Sequence, residues 1–181
     1  GTGYFGCRTD DGNFNSTLFR EKALLPEVKM IEIKISQGAK PGHGGILPAA
    51  KNTKEIAAIR NIKPHTLVAS PPFHNAFNSP KELMRFIQRL KDLSDGKPIG
   101  FKLCIGHSNY VGAPLLDGLD FAHNILTGLN IRQHIKIIAS GKITSGFHIM
   151  RAMALGADAC YSARAMMMAV GCIQALLCNT Y

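Results

Sequence analysis

The chain lacks several things, and each lack closes off a class of protein. No apolar run reaches membrane-spanning length; the longest candidate, residues 165–177, is interrupted by Gly171 and Gln174. No secretory signal is legible at the amino end, so the expected location is the cytoplasm. The five cysteines, at 7, 104, 160, 172 and 178, are odd in number and come without an export signal, which argues against a disulfide framework and for reduced thiols. Acidic residues are scarce, 12 against 21 lysines and arginines, for a net charge of +9. That balance raises nucleic acid as a partner through counterion release. The basic residues are dispersed, however, and aromatics make up only 7% of the chain. A basic rim around an anion pocket explains the charge equally well, and no nucleic-acid partner is expected. What remains is 181 residues with 46% hydrophobic content, enough for the core of a single domain spanning 1–181.

The most informative stretch is 32–48. Met30 to Ile35 alternates apolar and charged residues at period two, the pattern of a half-buried strand, and Gly38 ends the alternation. The loop that follows holds Gly38, Gly42, Gly44 and Gly45, which permit positive φ and let backbone approach a ligand. Lys34, Gln37, Lys40 and His43 supply charge and donors there, and an anionic, phosphorylated or carboxylated ligand suits them. A glycine-rich turn with solvated lysines fits the same pattern.

Along the rest of the chain the expected elements alternate. A helix at about 16–24, capped by Asn15 or Ser16, precedes the strand at 28–35. Asn52-Thr53-Lys54-Glu55 opens a helix with Ile56, Ile59 and Ile62 at helical spacing, and 67–69 reads as a brief buried strand. Ser79 caps the next helix, Pro80 takes its first turn, and Leu83, Phe86, Ile87 and Leu90 form its apolar face. A strand at 99–105, helix 116–129, strand 135–139, helix 145–155, strand 159–162 and helix 164–178 complete the series. Strands alternating with helices, with glycine and polar residues gathered after each strand, indicate an α/β fold with a parallel sheet and ligands at the strands' carboxyl ends.

Five segments carry a family resemblance: GTGYFGCR at the start, KISQGAKPGHGGILPAAK, SPPFHNAF at 70–77, GFKLCIGH at 100–107, and ASGKITSGF through LGADACYSARAMMMAVGCIQALLC at 139–178. They resemble the FMN-binding synthase domain of glutamate synthase and its shorter FMN-binding relatives. The resemblance implies a (β/α)8 TIM barrel, which ordinarily needs roughly 250 residues. By that standard the barrel is incomplete. It starts without the first strand, and a segment is missing between His107 and Ser108, where the family has a further helix, a strand and a glycine-rich stretch. A crossover of this kind needs about a dozen residues by itself. Either the sequence joins pieces across an omitted loop, or the gene product is a broken barrel.

The resemblance also implies roles. Lys102 would lie near the pyrimidine edge of a flavin, where positive charge favours electron uptake, although a strand lysine can equally face solvent. Ser140-Gly141-Lys142 and Ser162-Ala163-Arg164 resemble the paired phosphate sites that end the last two barrel strands, and here the fold logic agrees. Lys34, Gln37, Lys40 and Arg60 correspond to positions around the flavin and 2-oxoglutarate, with Lys40 and Arg60 holding carboxylates. His74, on a loop after a strand, lines the pocket, moves a proton or serves as a structural hydrogen-bonding residue. Cys172 and Cys178 have the spacing of two of three ligands to a 3Fe-4S cluster. His43 stands where the family has glutamate and Ile46 where it has glutamine, and the loss of that amide puts 2-oxoglutarate itself in question.

The expected activity is therefore that of an FMN-dependent oxidoreductase reducing an imine or 2-oxo acid, as in glutamate biosynthesis. Electrons would arrive from ferredoxin or a reductase subunit, with or without the iron–sulfur centre. The alternatives are an FMN oxidoreductase for another 2-hydroxy or 2-amino acid, and a barrel that binds a phosphorylated ligand without catalysis.

Overall fold

The computed structural model describes Tyr4 and residues 6–36, 45–71, 73–106 and 112–175. Gln37, Lys40, His43, His107, Ser108 and Cys178, all singled out above, lie outside the described residues. The chain divides into two compact units, Gly1–Cys104 and Ile105–Tyr181.

The first unit is built on a parallel pair of strands, β1 (Ile31–Lys34) and β4 (Ile99–Lys102), in the register Ile31 to Ile99 through Lys34 to Lys102. The alternation read from sequence decides which way β1 faces. Ile33 is buried while Glu32 and Lys34 are exposed. Ile33 joins the core formed by α1 (Ser16–Ala23) and α3 (Pro80–Leu93), where Phe19, Ala23, Leu83, Phe86 and Leu90 are buried with Cys7. Burying each large side chain of this kind stabilises the unit by about 1.5–3 kcal/mol. Both helices start as their sequences require. Asn15 accepts the Leu18 N–H at 3.1 Å, and Ser79 accepts that of Glu82 at 3.3 Å while the Glu82 carboxylate accepts the Asn78 N–H at 2.8 Å.

Residues 67–69 depart from expectation. The strand there, β3 (Val68–Ala69), is two residues long, pairs antiparallel with β2 (Ile46–Leu47), and has Ala69 exposed and Leu67 66% exposed. What holds this region is a polar anchor, since the fully buried Asn52 donates its amide to the carbonyls of Lys63 at 2.7 Å and Thr66 at 3.0 Å. Asn52 immediately precedes Thr53, whose hydroxyl accepts the Ile56 N–H and caps α2 (Lys54–Arg60).

The second unit repeats the parallel theme. β5 (Ile138–Ser140) pairs with β6 (Ala159–Tyr161), and Ala139 is buried with Leu119 of α4 (Leu115–Gly128), Ala152 of α5 (Gly146–Ala154), Ile143 and Ala157. The strand begins later than its sequence suggests because the Ile137 N–H donates to the Asp158 carboxylate at 2.8 Å. The single helix expected over 164–178 is broken: α6 (Arg164–Ala169) stops, Gly171 takes φ +75, and α7 (Cys172–Ala175) starts anew. Positive φ cannot continue a right-handed helix, and glycine adopts it without strain. Between β4 and α4 the described residues hold no named strand, only an antiparallel bridge between Gly106 and Gly112. No helix among the described residues is long and apolar enough to cross a membrane.

Candidate functional site

Two groups of predicted residues are gathered at strand ends, one in each unit. In the second unit, β5 and β6 run parallel with Ser140 opposite Tyr161, so the segments after both strands emerge side by side. Ser140, Gly141, Lys142, Ser162, Ala163 and Arg164 are all exposed there. The Ser162 hydroxyl donates to the carbonyl of Ile143 at 3.0 Å and ties the two turns together. Gly141 at φ +151 and Lys142 at φ +52 bend the backbone sharply before Ser145 caps α5 by accepting the His148 N–H. A side chain in the left-handed region is uncommon, and Lys142 adopts it in the turn that leads to α5. Lys142 and Arg164 bring positive charge to these strand ends, Arg164 from the first position of α6. Sequence reasoning missed two residues beside this turn. Thr144 donates its hydroxyl to His148 Nδ1, or accepts from it, at 2.9 Å. The Thr144 N–H approaches the same nitrogen at 3.3 Å.

In the first unit the register places Lys34 and Lys102 side by side, on the opposite face of the pair from Ile33. Lys102 Nζ lies 3.7 Å from the Glu32 carboxylate, and both side chains are part-exposed. The strand ends are closed by Ser36, whose hydroxyl accepts the Cys104 N–H at 2.6 Å. His74 belongs to this end, its Nε2 sitting 3.1 Å from the carbonyl oxygen of Lys34. Its ring stacks on Phe77 at 4.7 Å and meets Tyr4 edge-on at 5.6 Å. Tyr4, Asn13 and Asn75, which hold this loop, were not found from sequence, because Asn75 lies 71 positions from Tyr4 and 62 from Asn13 and the three share no spacing pattern. Burial holds the Tyr4 hydroxyl above its ordinary pKa, against hydrogen bonds at Ala76 and Asn75 that act the other way, so the group stays protonated. Arg60 lies in the last turn of α2, outside the contact between His74 and Lys34.

Matching against known families identifies the chain over nearly its whole length, with residues 1–109 and 106–181 each matching the conserved region in glutamate synthase. The chain belongs to the glutamate synthase family. Among its relatives, it is 34% identical over 217 residues to the glutamate synthase large subunit-like protein YerD of Bacillus subtilis (strain 168), covering 99% of this chain and 41% of that protein. It is 30% identical over 190 residues to the chloroplastic ferredoxin-dependent glutamate synthases of Oryza sativa subsp. japonica and Spinacia oleracea, covering 87% of this chain and 12% of each of them. The chain thus spans less than half the length of these relatives. The family match falls into two stretches that meet at 106–109.

The cysteines divide. Among the described residues, Cys7, Cys104 and Cys160 are outside any disulfide. Cys172, by contrast, is disulfide-bonded, and the general expectation of reduced thiols does not hold there. Among the described residues no three His, Cys, Asp or Glu side chains gather to hold a metal ion.

Proposed function

We propose that this chain is the flavin-binding core of an FMN-dependent oxidoreductase of the glutamate synthase type, built as a (β/α)8 barrel and acting on an imine or 2-oxo acid. The observation that carries the reading is the meeting of Ser140-Gly141-Lys142 and Ser162-Ala163-Arg164 at the carboxyl ends of two parallel strands. A phosphate placed there would take backbone N–H donors from the turn after β5, with Lys142 and Arg164 balancing its charge. The first unit supplies a second cationic strand end, where Lys34 and Lys102 share one face. Lys102 would set the electrostatics of the flavin ring, Lys40 and Arg60 would hold the carboxylates of the substrate, and Gln37 and Lys34 would orient the flavin or the keto end of the substrate. FMN, when bound, would supply hydride transfer. A ferredoxin or reductase subunit is the proposed electron donor.

We further propose that a segment of the barrel present in relatives is missing between His107 and Ser108. The two-part family match supports it. The same observation favours a second reading, in which the chain binds a phosphorylated ligand through its second unit without redox chemistry.

The deciding experiment is reconstitution of the purified chain with FMN, followed by gel filtration and a visible spectrum. Two retained flavin bands, lost in an Arg164→Ala, Lys142→Ala double variant, support the flavin reading. A chain that remains colourless but still binds phosphate at those residues supports the second. If flavin is retained equally by the double variant, the phosphate assignment is overturned. Lys102→Met that leaves both flavin affinity and reduction potential unchanged removes Lys102 from the site.

A further inference from the structure

The contact between His74 and the backbone of Lys34 has a chemical consequence. Carbonyl oxygens only accept, so the 3.1 Å contact from Nε2 requires that Nε2 carry the proton. In the neutral ring the other nitrogen, Nδ1, is then an acceptor with its lone pair available. Among the described residues no hydrogen-bond donor to His74 Nδ1 is found.

The loop that carries the ring is tied to residues distant in the chain. A directional chain of hydrogen bonds runs behind it. The Asp11 carboxylate accepts the Asn13 amide at 2.7 Å, Asn13 Oδ1 accepts the Asn75 amide at 2.6 Å, Asn75 Oδ1 accepts the Tyr4 hydroxyl, and that hydroxyl accepts the Ala76 N–H at 3.0 Å. Each bond fixes the orientation of the next group, so neither asparagine can flip without breaking two bonds. Tyr4 itself sits at φ +46. For a bulky residue this is a genuine outlier that costs on the order of 1–3 kcal/mol and persists only where surrounding structure over-determines it. Here the over-determination surrounds His74, which lies between the Tyr4 edge and the Phe77 face.

We propose that His74 is a ligand-contacting acceptor at the carboxyl end of β1, presenting Nδ1 to an N–H or O–H donor of the bound molecule, and that Tyr4, Asn75 and Asn13 are its positioning residues. The proposal rests on reading the β1 and β4 ends as a ligand site, but its test needs no cofactor. The ligand class is one that offers a hydrogen-bond donor beside groups that Lys34 and Lys102 can neutralise. A ligand with acceptors alone would leave Nδ1 facing another lone pair, which disfavours it.

The test is the imidazole tautomer in the 15N-labelled full chain, read from long-range 15N–1H spectra, with His74→Gln identifying the His74 signals by their loss. The expected result is the Nε2–H pattern, with Nδ1 in the unprotonated range. Tyr4→Phe and Asn75→Ala should each collapse that pattern towards an exchange-averaged mixture while the signals of His123 and His148, in the second unit, stay in place. A wild-type Nδ1–H pattern overturns the proposal, as does a pattern that survives in both variants. Should one variant unfold the first unit, the other and the wild-type tautomer still decide. FMN retention is measured separately. The expected tautomer in a chain that retains no flavin sinks the flavin reading and leaves the acceptor standing, whereas flavin retention with the opposite tautomer does the reverse.

Discussion

Asp158→Asn tests the physical account of the second unit most directly. Asp158 lies just before β6 and gathers three partners: the Ile137 N–H at 2.8 Å, Arg132 at 2.7 Å and Lys136 at 3.2 Å. The Ile137 backbone bond is the main reason its carboxyl falls from the ordinary 3.8 to about 2, with Arg132 and Lys136 adding to it against a desolvation penalty. At about 1.4 kcal/mol per pH unit, that difference makes the charged form worth about 2 kcal/mol to the folded state. Lys136 is 76% exposed and contributes little, so most of this resides in Ile137 and Arg132. Because the folded pKa is depressed, the stabilisation is fully present above pH 4 and is lost as the pH falls through about 2. Asp158→Asn should therefore lower the denaturant midpoint by the equivalent of about 2 kcal/mol at pH 7. The gap between wild type and variant should narrow steadily as the pH falls from 4 towards 2. Hydrogen exchange at the Ile137 amide should quicken in the variant at neutral pH. Equal midpoints at pH 7, or a gap that does not change down to pH 2.5, would refute the argument.

Other perturbations follow from single contacts. A methyl group at Gly156, which has φ +105, would stand 2.2 Å from His123 Nδ1, so Gly156→Ala should cost more than about 2 kcal/mol in thermal unfolding, and adding His123→Ala should recover only the steric part. Asn52→Ala strips the donors from two carbonyls around a fully buried side chain and should cost about 2–3 kcal/mol by urea titration, with β2 and β3 the first to lose exchange protection. Ser79→Ala removes the cap of α3 and should cost about 1 kcal/mol, largely restored by Ser79→Asp. Burial pushes the Cys7 thiol up, so it should alkylate with iodoacetamide far more slowly than Cys160 in the native chain at pH 8 and at a similar rate in 6 M guanidinium.

The parts of this protein that are local were legible in its sequence. Asn15, Thr53 and Ser79 cap the helices they precede, and Leu83, Phe86 and Leu90 face the core, because capping and helical periodicity act within a few residues. The chemistry after the strands was legible for a related reason. Glycine, serine and basic residues cluster after 139 and 161 whether or not one knows that the two turns meet. Length was harder to read. The strand foreseen over 135–139 starts at Ile138, since Ile137 gives its N–H to Asp158 across 21 positions. The strand foreseen at 67–69 is an exposed antiparallel pairing held beside a buried asparagine.

By itself, the sequence determined where most helices start, which face of α3 is apolar, and where glycine, serine and basic residues gather after the strands, since all of these depend on neighbours in the chain. Only the tertiary structure decided that Ser162 ties itself to Ile143, that Arg132 spans His123, Gly156 and Asp158, and that Tyr4 reaches Asn75 to fix the ring of His74. These are directional bonds between groups 9 to 71 positions apart, and folding alone brings such partners within the roughly 3 Å that a hydrogen bond requires.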